Sequence, residues 1–419
     1  MGELYDDLSH KTSRIQLPSK DEVMTSFLAS GRLRGRGLIA LAAAVAGSVV
    51  LAGCGGAAVS ESKSSDEPIK IGVLLPYTGP FGLYGKPMEA ALTARLKLDD
   101  FKVGDRSIEL VFEDEATDPA TAVSKANKLV DQDGVSAVVC CATGAATLAV
   151  GPILAERGIP QLGPIPNPDG LSEFATAAVA APTAGHDAGK LGTYAATDLD
   201  YRSAVIVASD FAYGHEVAEN FKKGFTEAGG SIVKEVYAPL GTSDFASYLS
   251  QLPDADVVFA GFAGADAIRF VQQYDKFGVK AKMPLIGHGP LVTELVLNQI
   301  GPAAVGVGAA FYYSSTLDNA ENERFISTMK AANPDFVPSH FTAGAWASGS
   351  VLLDAIERAG DDATDGEKLA AAIRSTKIEA PWGPLAFDPD TGYAIAPTYY
   401  YTVESSATGL SHKIVTEIP

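Results

Sequence analysis

A threonine and a glycine in the first half of the chain have the types and the position expected of a carboxylate-binding site. Thr143 and Gly144 follow Val135–Val139, a short run rich in β-branched residues that is typical of a buried strand. They precede residues 145–157, whose composition favours a helix that Gly158 ends. A hydroxyl, unpaired backbone N–H groups and the partial positive charge of a helix N-terminus together bind an anionic group. The alternative, a tight turn in a buried α/β core that binds nothing, stays open at this point.

The three cysteines, Cys54, Cys140 and Cys141, limit the chemistry available. Three are too few for a disulfide framework, and adjacent cysteines bridge only through a strained ring, so we expect Cys140 and Cys141 to be two packed thiols. Two adjacent thiols without further cysteines also make a poor metal site. A hydrolase or acyltransferase needs an activated nucleophile, and Cys140 or Cys141 with His288 is the only pairing that the sequence offers. Because the chain contains no GxSxG, P-loop or HExxH motif and no GxGxxG after a strand, catalysis is not favoured.

Length and composition are typical of a globular protein of two domains. The chain has 419 residues, too many for one ordinary core, of which 47% are hydrophobic, 8% aromatic and 20% charged. Its 32 basic and 51 acidic residues give a formal net charge of -19, which disfavours nucleic acid and anionic lipid headgroups as partners of the folded part. The net charge sets no limit on a small ligand.

Two successive series of strands and helices predict an α/β fold of two doubly wound, Rossmann-like lobes joined by a multi-strand hinge. The first series begins with an apolar strand at 69–75, and the second begins with a strand at 204–209. The helices after Tyr313 have no sheet of their own, so we expect them to return to the first lobe. The predicted lobes are therefore 69–184 with 313–384, and 185–312 with 385–419.

The N-terminal region predicts export and attachment to a membrane. Three arginines precede the apolar stretch Leu38–Ala52, a secretory signal pattern that is short for a spanning helix. The stretch ends in Leu51-Ala52-Gly53-Cys54, which resembles the bacterial lipobox, whose cysteine becomes the lipidated N-terminus of the mature protein. We expect translation to start at or near Met24, the signal region to occupy 1–53 and a flexible tether to occupy 54–68. The alternative is a simple membrane anchor with an incidental cysteine.

Five turn and loop motifs follow one another in a recognisable order and spacing. They are Tyr77 to Gly85, Asp114 to Pro119, Thr143 to Gly151, Gly163 to Asn167, and Asp210 to Gly214. Through these motifs the chain, over about residues 69–404, resembles the type I periplasmic binding proteins of the branched-chain amino acid (Leu/Ile/Val) class. These proteins are the solute-binding components of ABC importers.

The resemblance implies a function without catalysis. We expect a monomeric receptor that needs no cofactor, closes its two lobes on a small solute and delivers the solute to an ABC permease. Such a receptor is extracytoplasmic, and a lipidated Cys54 would hold it on the outer face of the cytoplasmic membrane. A ligand sensor that feeds a signalling partner is the alternative, because its fold and its site would be identical.

The resemblance also implies ligand contacts from both lobes. Hydroxyls and backbone N–H groups of the first lobe would hold the carboxylate of the ligand, and aromatic side chains would enclose its apolar part. The implied residues are Thr143, Gly144 and Asn167 for the carboxylate and Tyr84, Tyr213, Phe262 and Trp346 for the aromatic walls. Thr143 is alternatively a plain helix N-cap, and each aromatic residue is alternatively part of a core.

One departure from the family pattern concerns the ammonium group of an amino-acid ligand. The amino-acid binders of the family place an acidic residue just after the strand 284–287, where this chain has His288. A buried ammonium without a partner costs on the order of several kcal/mol. Either Asp114, Glu115 or Asp266 therefore substitutes, or the ligand is not an α-amino acid. His288 would then hydrogen-bond a hydroxyl, an amide or a second carboxylate, or it is an exposed loop histidine.

Lipidation at Cys54 is testable by metabolic labelling with an azido fatty acid. We expect the parent protein to take up the label and Cys54→Ser to take up none, because the acyl chains are attached to that sulfur. Cys141→Ser is the matched control and should be labelled like the parent. Equal labelling of Cys54→Ser and the parent would contradict the lipobox prediction.

Overall fold

In the computed structural model, which describes residues 67–79, 81–166, 169–406 and 409–419, the apolar run Ile69–Leu75 is the centre of a six-stranded sheet. The strands are β1 (Ile69–Leu75), β2 (Lys102–Val103), β3 (Arg106–Asp114), β4 (Ala137–Cys140), β5 (Gln161–Gly163) and β6 (Ala177–Val179). Their order is β2-β3-β1-β4-β5-β6, and every neighbouring pair is parallel except the hairpin of β2 and β3. All four residues of β4 are buried, as expected of a strand that is covered on both faces.

A second, seven-stranded sheet follows in the chain. Its strands are β7 (Ser203–Ser209), β8 (Ser231–Ala238), β9 (Val257–Gly261), β10 (Leu285–His288), β11 (Gly308–Phe311), β15 (Thr398–Ser406) and β16 (Gly409–Ile418). Their order is β16-β15-β11-β10-β9-β7-β8. The five strands from β7 to β11 are parallel, and β15 and β16 extend the sheet as antiparallel strands. A small antiparallel sheet is made by β12 (Lys377–Ala380), β13 (Gly383–Phe387) and β14 (Ala394–Ile395).

Eleven α-helices of the described residues cover these sheets. They are α1 (Gly82–Lys97), α2 (Pro119–Lys128), α3 (Gly144–Glu156), α4 (Ala184–Thr197), α5 (Ala212–Glu227), α6 (Ala246–Leu249), α7 (Gly264–Lys276), α8 (Glu294–Ile300), α9 (Ala320–Ala332), α10 (His340–Ala359) and α11 (Gly366–Arg374). Polar side chains cap several of them, for example Asp118 on α2, Thr183 on α4 and Ser339 on α10.

The helices after Tyr313 pack against the first lobe. Helices α9 and α10 pack on α1, and Arg95 Nε of α1 donates a hydrogen bond to Ser350 Oγ of α10 at 2.7 Å. The small sheet also lies with the first lobe, because Val179 at the end of β6 forms a bridge with Tyr393. Residues 385–396, which the sequence assigned to the second lobe, therefore lie with the first.

The two sheets have their strand orders reversed at one point each. In the first sheet β1 lies between β3 and β4, and in the second β7 lies between β8 and β9. At such points the loops after neighbouring strands lead to helices on opposite faces, which leaves a crevice at the carboxyl ends of the strands. The crevice of the first lobe lies between the loop after β1 and the turn from β4 to α3.

Helix α1 begins earlier than the sequence predicted. The predicted turn and loop motif extended to Gly85, whereas α1 starts at Gly82 and contains Pro87. Gly85 permits this start, since a Cβ at that position would lie 2.0 Å from the carbonyl oxygen of Pro76. Tyr84 therefore projects from the first turn of a helix and has a fixed position.

Among the described residues, no helix combines the length and the apolar composition that crossing a membrane requires. The predicted signal region and Cys54 lie outside the described residues.

The close approach of α10 to the loop after β5 is testable with two helix glycines. A Cβ at Gly344 of α10 would lie 1.7 Å from the carbonyl oxygen of Pro164, whereas a Cβ at Gly189 of α4 would lie 3.7 Å from its nearest neighbour. We expect Gly344→Ala to lower the free energy of unfolding by about 1–3 kcal/mol or more through forced displacement. Gly189→Ala is the control and should raise it by roughly 0.5–1 kcal/mol through helix propensity. Denaturant unfolding measures both, and equal effects would contradict the packing described.

Candidate functional site

The turn between β4 and α3, residues 141–143, and the first residue of α3 contain Thr143 and Gly144, which the sequence offered for a carboxylate. Thr143 has extended backbone angles and caps α3, with its Oγ1 accepting a hydrogen bond from Ala146 N at 3.3 Å. This cap does not exclude a ligand contact, because a hydroxyl that accepts one hydrogen bond still has its proton to donate. Thr143 and Gly144 are both partly exposed. The turn therefore presents a hydroxyl and the N-terminus of a 13-residue helix to an anionic group.

Glu115 and the two adjacent cysteines lie directly behind this turn. Glu115 Oε1 accepts a hydrogen bond from Ala142 N at 3.1 Å, and Glu115, Cys140 and Cys141 are all 0% exposed. Burial, with a smaller contribution from the charge of Asp114, raises the pKa of Glu115 to about 8. Glu115 is thus a neutral acid at neutral pH, which makes it a poor ion partner for an ammonium group.

The structure joins Cys140 and Cys141 by a disulfide, across a cis peptide bond. The prediction of two separate packed thiols is therefore wrong in this structure. The sharp turn that ends β4 brings the two sulfur atoms together.

A row of five rings connects the two lobes, and we call it the inter-lobe row. Tyr84 of α1 stacks on Phe341 of α10 with 4.0 Å between ring centroids, and His340 lies 4.1 Å from Phe341. His340 of the first lobe then meets Phe311 of β11 at 5.1 Å, and Phe311 meets His288 of β10 at 4.9 Å. Two of the predicted residues, Tyr84 and His288, are therefore the ends of one continuous contact across the cleft.

His288 is a buried residue with partners on both sides, so the alternative of an exposed loop histidine is wrong. It is 1% exposed, and its Nδ1 shares a hydrogen bond of 3.0 Å with the hydroxyl of Tyr213 at the start of α5. Its Nε2 lies 3.8 Å from Oδ2 of Asp187, too far for a hydrogen bond. Tyr213 thus lies next to His288, and its predicted role as an aromatic wall of the ligand site stays a prediction.

Asp187 in the first turns of α4 is the residue that the sequence analysis missed. It is 0% exposed, and its Oδ1 accepts a hydrogen bond from Thr398 Oγ1 at 2.6 Å. Its Oδ2 has no hydrogen-bond partner among the described residues, and the same is true of His288 Nε2, His340 Nδ1 and Tyr312 OH. A fully buried carboxylate oxygen without a donor is costly, so its surroundings favour a ligand that supplies one. An acid in the first turns of a helix usually just balances the helix dipole, which is why sequence alone gave no signal.

The acids that the sequence offered as substitutes have other partners. Asp114 accepts hydrogen bonds from the backbone N–H groups of Tyr77, Thr78 and Ala116, so it organises the loop after β1. Asp266 forms an ion pair with Arg269 and accepts a hydrogen bond from Gly241 N at 2.9 Å.

Two of the predicted aromatic walls lie inside the cores of the lobes. Phe262 is 0% exposed and packs against Phe245 and Phe270 in the second lobe. Trp346 is also 0% exposed, and its Nε1 donates a hydrogen bond of 2.7 Å to Glu321 of α9, away from the inter-lobe row. The structure therefore does not bring these two residues to the others, and Asn167 lies outside the described residues.

Burial keeps His340 and the hydroxyls of Tyr84 and Tyr213 uncharged. It lowers the pKa of His340 to about 3, with a further contribution from His288, and it raises the pKa of Tyr84 and of Tyr213. The hydroxyls therefore keep their protons, and His340 is uncharged at neutral pH. The buried acid Asp187 is the group of this site that stands to receive a hydrogen bond or a positive charge.

Residues 68–408 of the chain match the family described as periplasmic binding protein. Leu/Ile/Val-binding protein homolog 6 of Brucella melitensis is 28% identical over 366 residues, which are 84% of this chain and 91% of that protein. An ABC transporter substrate-binding protein of Sphaerobacter thermophilus is 31% identical, with a TM-score of 0.81 over 84% of this chain and 98% of that one. A solute-binding protein of Rhodopseudomonas palustris BisB5, solved with 3,4-dihydroxybenzoic acid, is 26% identical, with a TM-score of 0.78 over 84% and 97% of the two chains.

The neutral His340 makes stability sensitive to acid. Unfolding restores its ordinary pKa of 6.5, so between pH 6.5 and about 3 the unfolded chain binds a proton that the folded chain does not. We expect the free energy of unfolding to fall as the pH is lowered through this range, by up to about 1.4 kcal/mol per pH unit. His340→Phe keeps a ring in place and should lose this part of the slope.

The comparison of the two proteins above pH 6.5 is the control, because there the difference reports packing alone. Parallel stability curves for the parent and His340→Phe across the acid range would contradict the assignment.

Proposed function

We propose a ligand class for this protein, which belongs to the periplasmic binding protein family and is the solute-binding component of an ABC transporter: a small carboxylate whose opposite end donates hydrogen bonds. The observation that carries the proposal is the fully buried Oδ2 of Asp187, which lacks a donor among the described residues. The family consists of extracytoplasmic, non-enzymatic solute-binding proteins.

The carboxylate end is assigned to the turn from β4 to α3. Thr143 keeps a hydroxyl proton to donate, and the first N–H groups of α3 add donors and partial positive charge. No buried counter-charge is needed, because backbone donors at a helix N-terminus stabilise an anion by themselves. Asn167 belongs to the same proposed group of contacts.

The donor end is assigned to Asp187 and His288. The carboxylate Oδ2 and the imidazole Nε2 lie 3.8 Å apart, and neither has a hydrogen bond among the described residues. An ammonium or hydroxyl placed between them would donate to Asp187 and complete the set of hydrogen bonds. Asp187 thus takes the role that the family pattern gives to an acid after the strand β10, but from another element.

The aromatic rings fit a ligand with an apolar or flat body. Tyr84 and Phe341 are stacked, and Phe311 lies on the other side of the cleft with His340 against its ring. These side chains offer apolar faces without charge, so they discriminate little between an aliphatic and an aromatic ligand.

Known relatives support two kinds of ligand within this class, an amino acid and a hydroxybenzoate. A similar protein is named a Leu/Ile/Val-binding protein homologue, and a similar structure holds 3,4-dihydroxybenzoic acid. An amino acid would present an ammonium to Asp187, and a hydroxybenzoate would present a phenol. Both have the carboxylate that the β4–α3 turn accepts.

The cellular setting is part of the same proposal. We assign lipidation to Cys54, a location on the outer face of the membrane, an ABC permease as partner and a monomeric state. The lobes are assigned to 69–184 with 313–396 and to 185–312 with 397–419, and closure of the lobes around the solute is the expected motion.

A thermal-shift screen tests the ligand class, with leucine, its deaminated analogue, benzoate and 3,4-dihydroxybenzoate as ligands. A ligand at 100 times its dissociation constant adds about 2.7 kcal/mol to the free energy of unfolding. We expect the melting temperature to rise with a ligand that has both a carboxylate and a hydrogen-bond donor, such as leucine or 3,4-dihydroxybenzoate. It should rise little with the matching compound that lacks the donor, the deaminated analogue of leucine or benzoate. Equal shifts within a pair would contradict a role for Asp187.

Two substitutions assign the two ends of the ligand. Asp187→Asn should weaken the binding of an amino acid by about 3–5 kcal/mol, because one partner of a buried ion pair is lost. It should weaken the binding of a hydroxybenzoate by about 1.5–3 kcal/mol. Thr143→Ala should weaken every carboxylate and cost about 1 kcal/mol of stability as a lost cap. Asp266→Asn is the matched control, because both oxygens of Asp266 have partners within the lobe. Titration calorimetry that finds Asp187→Asn and Asp266→Asn alike would overturn the assignment.

A further inference from the structure

Three ligating side chains meet behind the β4–α3 turn, and we call them the cysteine–carboxylate cluster: Glu115, Cys140 and Cys141. One carboxylate oxygen and the two sulfur atoms all lie within 4.8 Å of one another, and all three residues are 0% exposed. Cys140 ends β4, Cys141 follows it and Glu115 follows β3, so the parallel sheet brings the three residues together. The sequence argued against a metal site because it saw only two adjacent thiols, and the third donor comes from another strand.

Two buried acceptors beside the cysteines have no hydrogen-bond partner among the described residues. One is Oε2 of Glu115, whose other oxygen accepts from Ala142 N. The second is Oε1 of Gln161, a residue that is 1% exposed and whose Nε2 lies 3.9 Å from Cys140 Sγ. Unpaired oxygen acceptors in a dry core are rare, and here two of them belong to residues that contact the cysteines through another atom or through the cluster.

We propose that, once the disulfide is reduced, the cluster binds one thiophilic divalent cation of the zinc class through Cys140 Sγ, Cys141 Sγ and a carboxylate oxygen of Glu115. Zinc takes sulfur at about 2.3 Å and carboxylate oxygen at about 2.0–2.2 Å, so its ligand atoms lie roughly 3.3–3.8 Å apart. In the cluster the three ligand atoms lie within 4.8 Å of one another, and the two sulfur atoms, which the disulfide joins, separate to the coordination distance only after reduction. The unpaired oxygen Oε1 of Gln161 is the candidate for a fourth metal ligand.

The disulfide makes the site dependent on the redox state. An external dithiol gives two electrons and two protons to the cysteine pair, the Sγ–Sγ bond breaks, and the dithiol becomes a disulfide itself. Binding of the cation then releases the two thiol protons and the carboxyl proton of Glu115 to solvent. In the reverse exchange an external disulfide takes two electrons from the two thiolates and two protons from solvent and becomes a dithiol, the Sγ–Sγ bond forms again, and the cation loses both sulfur ligands and dissociates.

The site goes beyond the proposed solute binding and is tested without any solute. The described residues lie within Lys63–Pro419, which forms one compact unit. Its sequence contains no cysteine other than Cys140 and Cys141. This unit is prepared in oxidised form and in a form reduced with dithiothreitol, with the reductant then removed under nitrogen. Thiol titration of the denatured samples should count no thiols in the first and two in the second.

The probes are Cd²⁺, followed by its ultraviolet charge-transfer band with thiolate, and Zn²⁺, followed by competition with a chromogenic chelator. We expect one ion per reduced chain and none per oxidised chain, after equilibration that allows for the buried position of the cluster. Equal binding by the two forms, or no binding by the reduced form, would overturn the proposal. A disulfide that dithiothreitol does not open in the native protein would overturn it as well.

Substitutions identify the ligands. Cys141→Ser should abolish the charge-transfer band, and Glu115→Gln should lower the affinity for the cation by about tenfold or more. Glu113→Gln is the matched control: Glu113 lies two positions away on β3 and pairs with Lys125 and Lys128 outside the cluster. Thermal melting of each metal-free variant verifies that it is folded. Unchanged affinity in a folded Glu115→Gln variant would remove Glu115 from the site.

Discussion

The parallel pairing of β1 with β3 on one side and with β4 on the other fixes the chemistry of the first lobe. Leu75 at the end of β1 lies beside Asp114, and Leu74 lies beside Cys140. Parallel strands release their loops at the same edge, so this register brings three chain segments together: the loop after β1, the acidic loop after β3 and the turn before α3. The hydrogen bonds from Tyr77 N to Asp114 and from Ala142 N to Glu115 then fix those segments to one another. A shift of either strand would separate them.

The second lobe presents a different constraint, a buried acid whose position depends on segments distant in sequence. Asp187 lies on the helix that follows the first crossing between the lobes, Thr398 lies at the last crossing, and His288 ends β10. Burying a carboxylate with one hydrogen bond is costly, and no packing requirement visible in the structure demands an acid there. The cost is understandable if a ligand completes the hydrogen bonds in the working state of the protein. A buried acid of this kind would lower the stability of the ligand-free protein and increase its selectivity for the ligand.

Periodicity and strand length were sufficient to predict the two α/β series and the bounds of β1. They were sufficient because strands covered on both faces have continuous apolar runs, as in Val257–Gly261. The same signals also located Thr143 and Gly144, which follow directly from a strand and a helix in succession. They could not place Phe262 or Trp346, since an aromatic residue after a strand or on an apolar helix face has the same pattern in a core and in a cleft. The position of Asp187 and the burial of Glu115 behind the β4–α3 turn could not be predicted for another reason: they result from contacts with residues far away in the chain.

The chemistry of the inter-lobe row bears on how a ligand controls closure. Within this row the first lobe contacts the second through His340 and Phe311, and burial keeps that imidazole neutral. A contact between an uncharged imidazole and a phenyl ring is short-ranged and modest, so by itself it commits the lobes only weakly to the closed arrangement. The charged and hydrogen-bonding groups lie apart from it, the β4–α3 turn in one lobe and Asp187 in the other. A ligand shifts the equilibrium only by its difference in affinity for the open and the closed states. A solute that reaches both lobes gains its second set of contacts only on closure, whereas a solute with one functional end binds both states alike. Because a neutral contact separates the two polar groups, only a ligand that reaches both of them would stabilise the closed state.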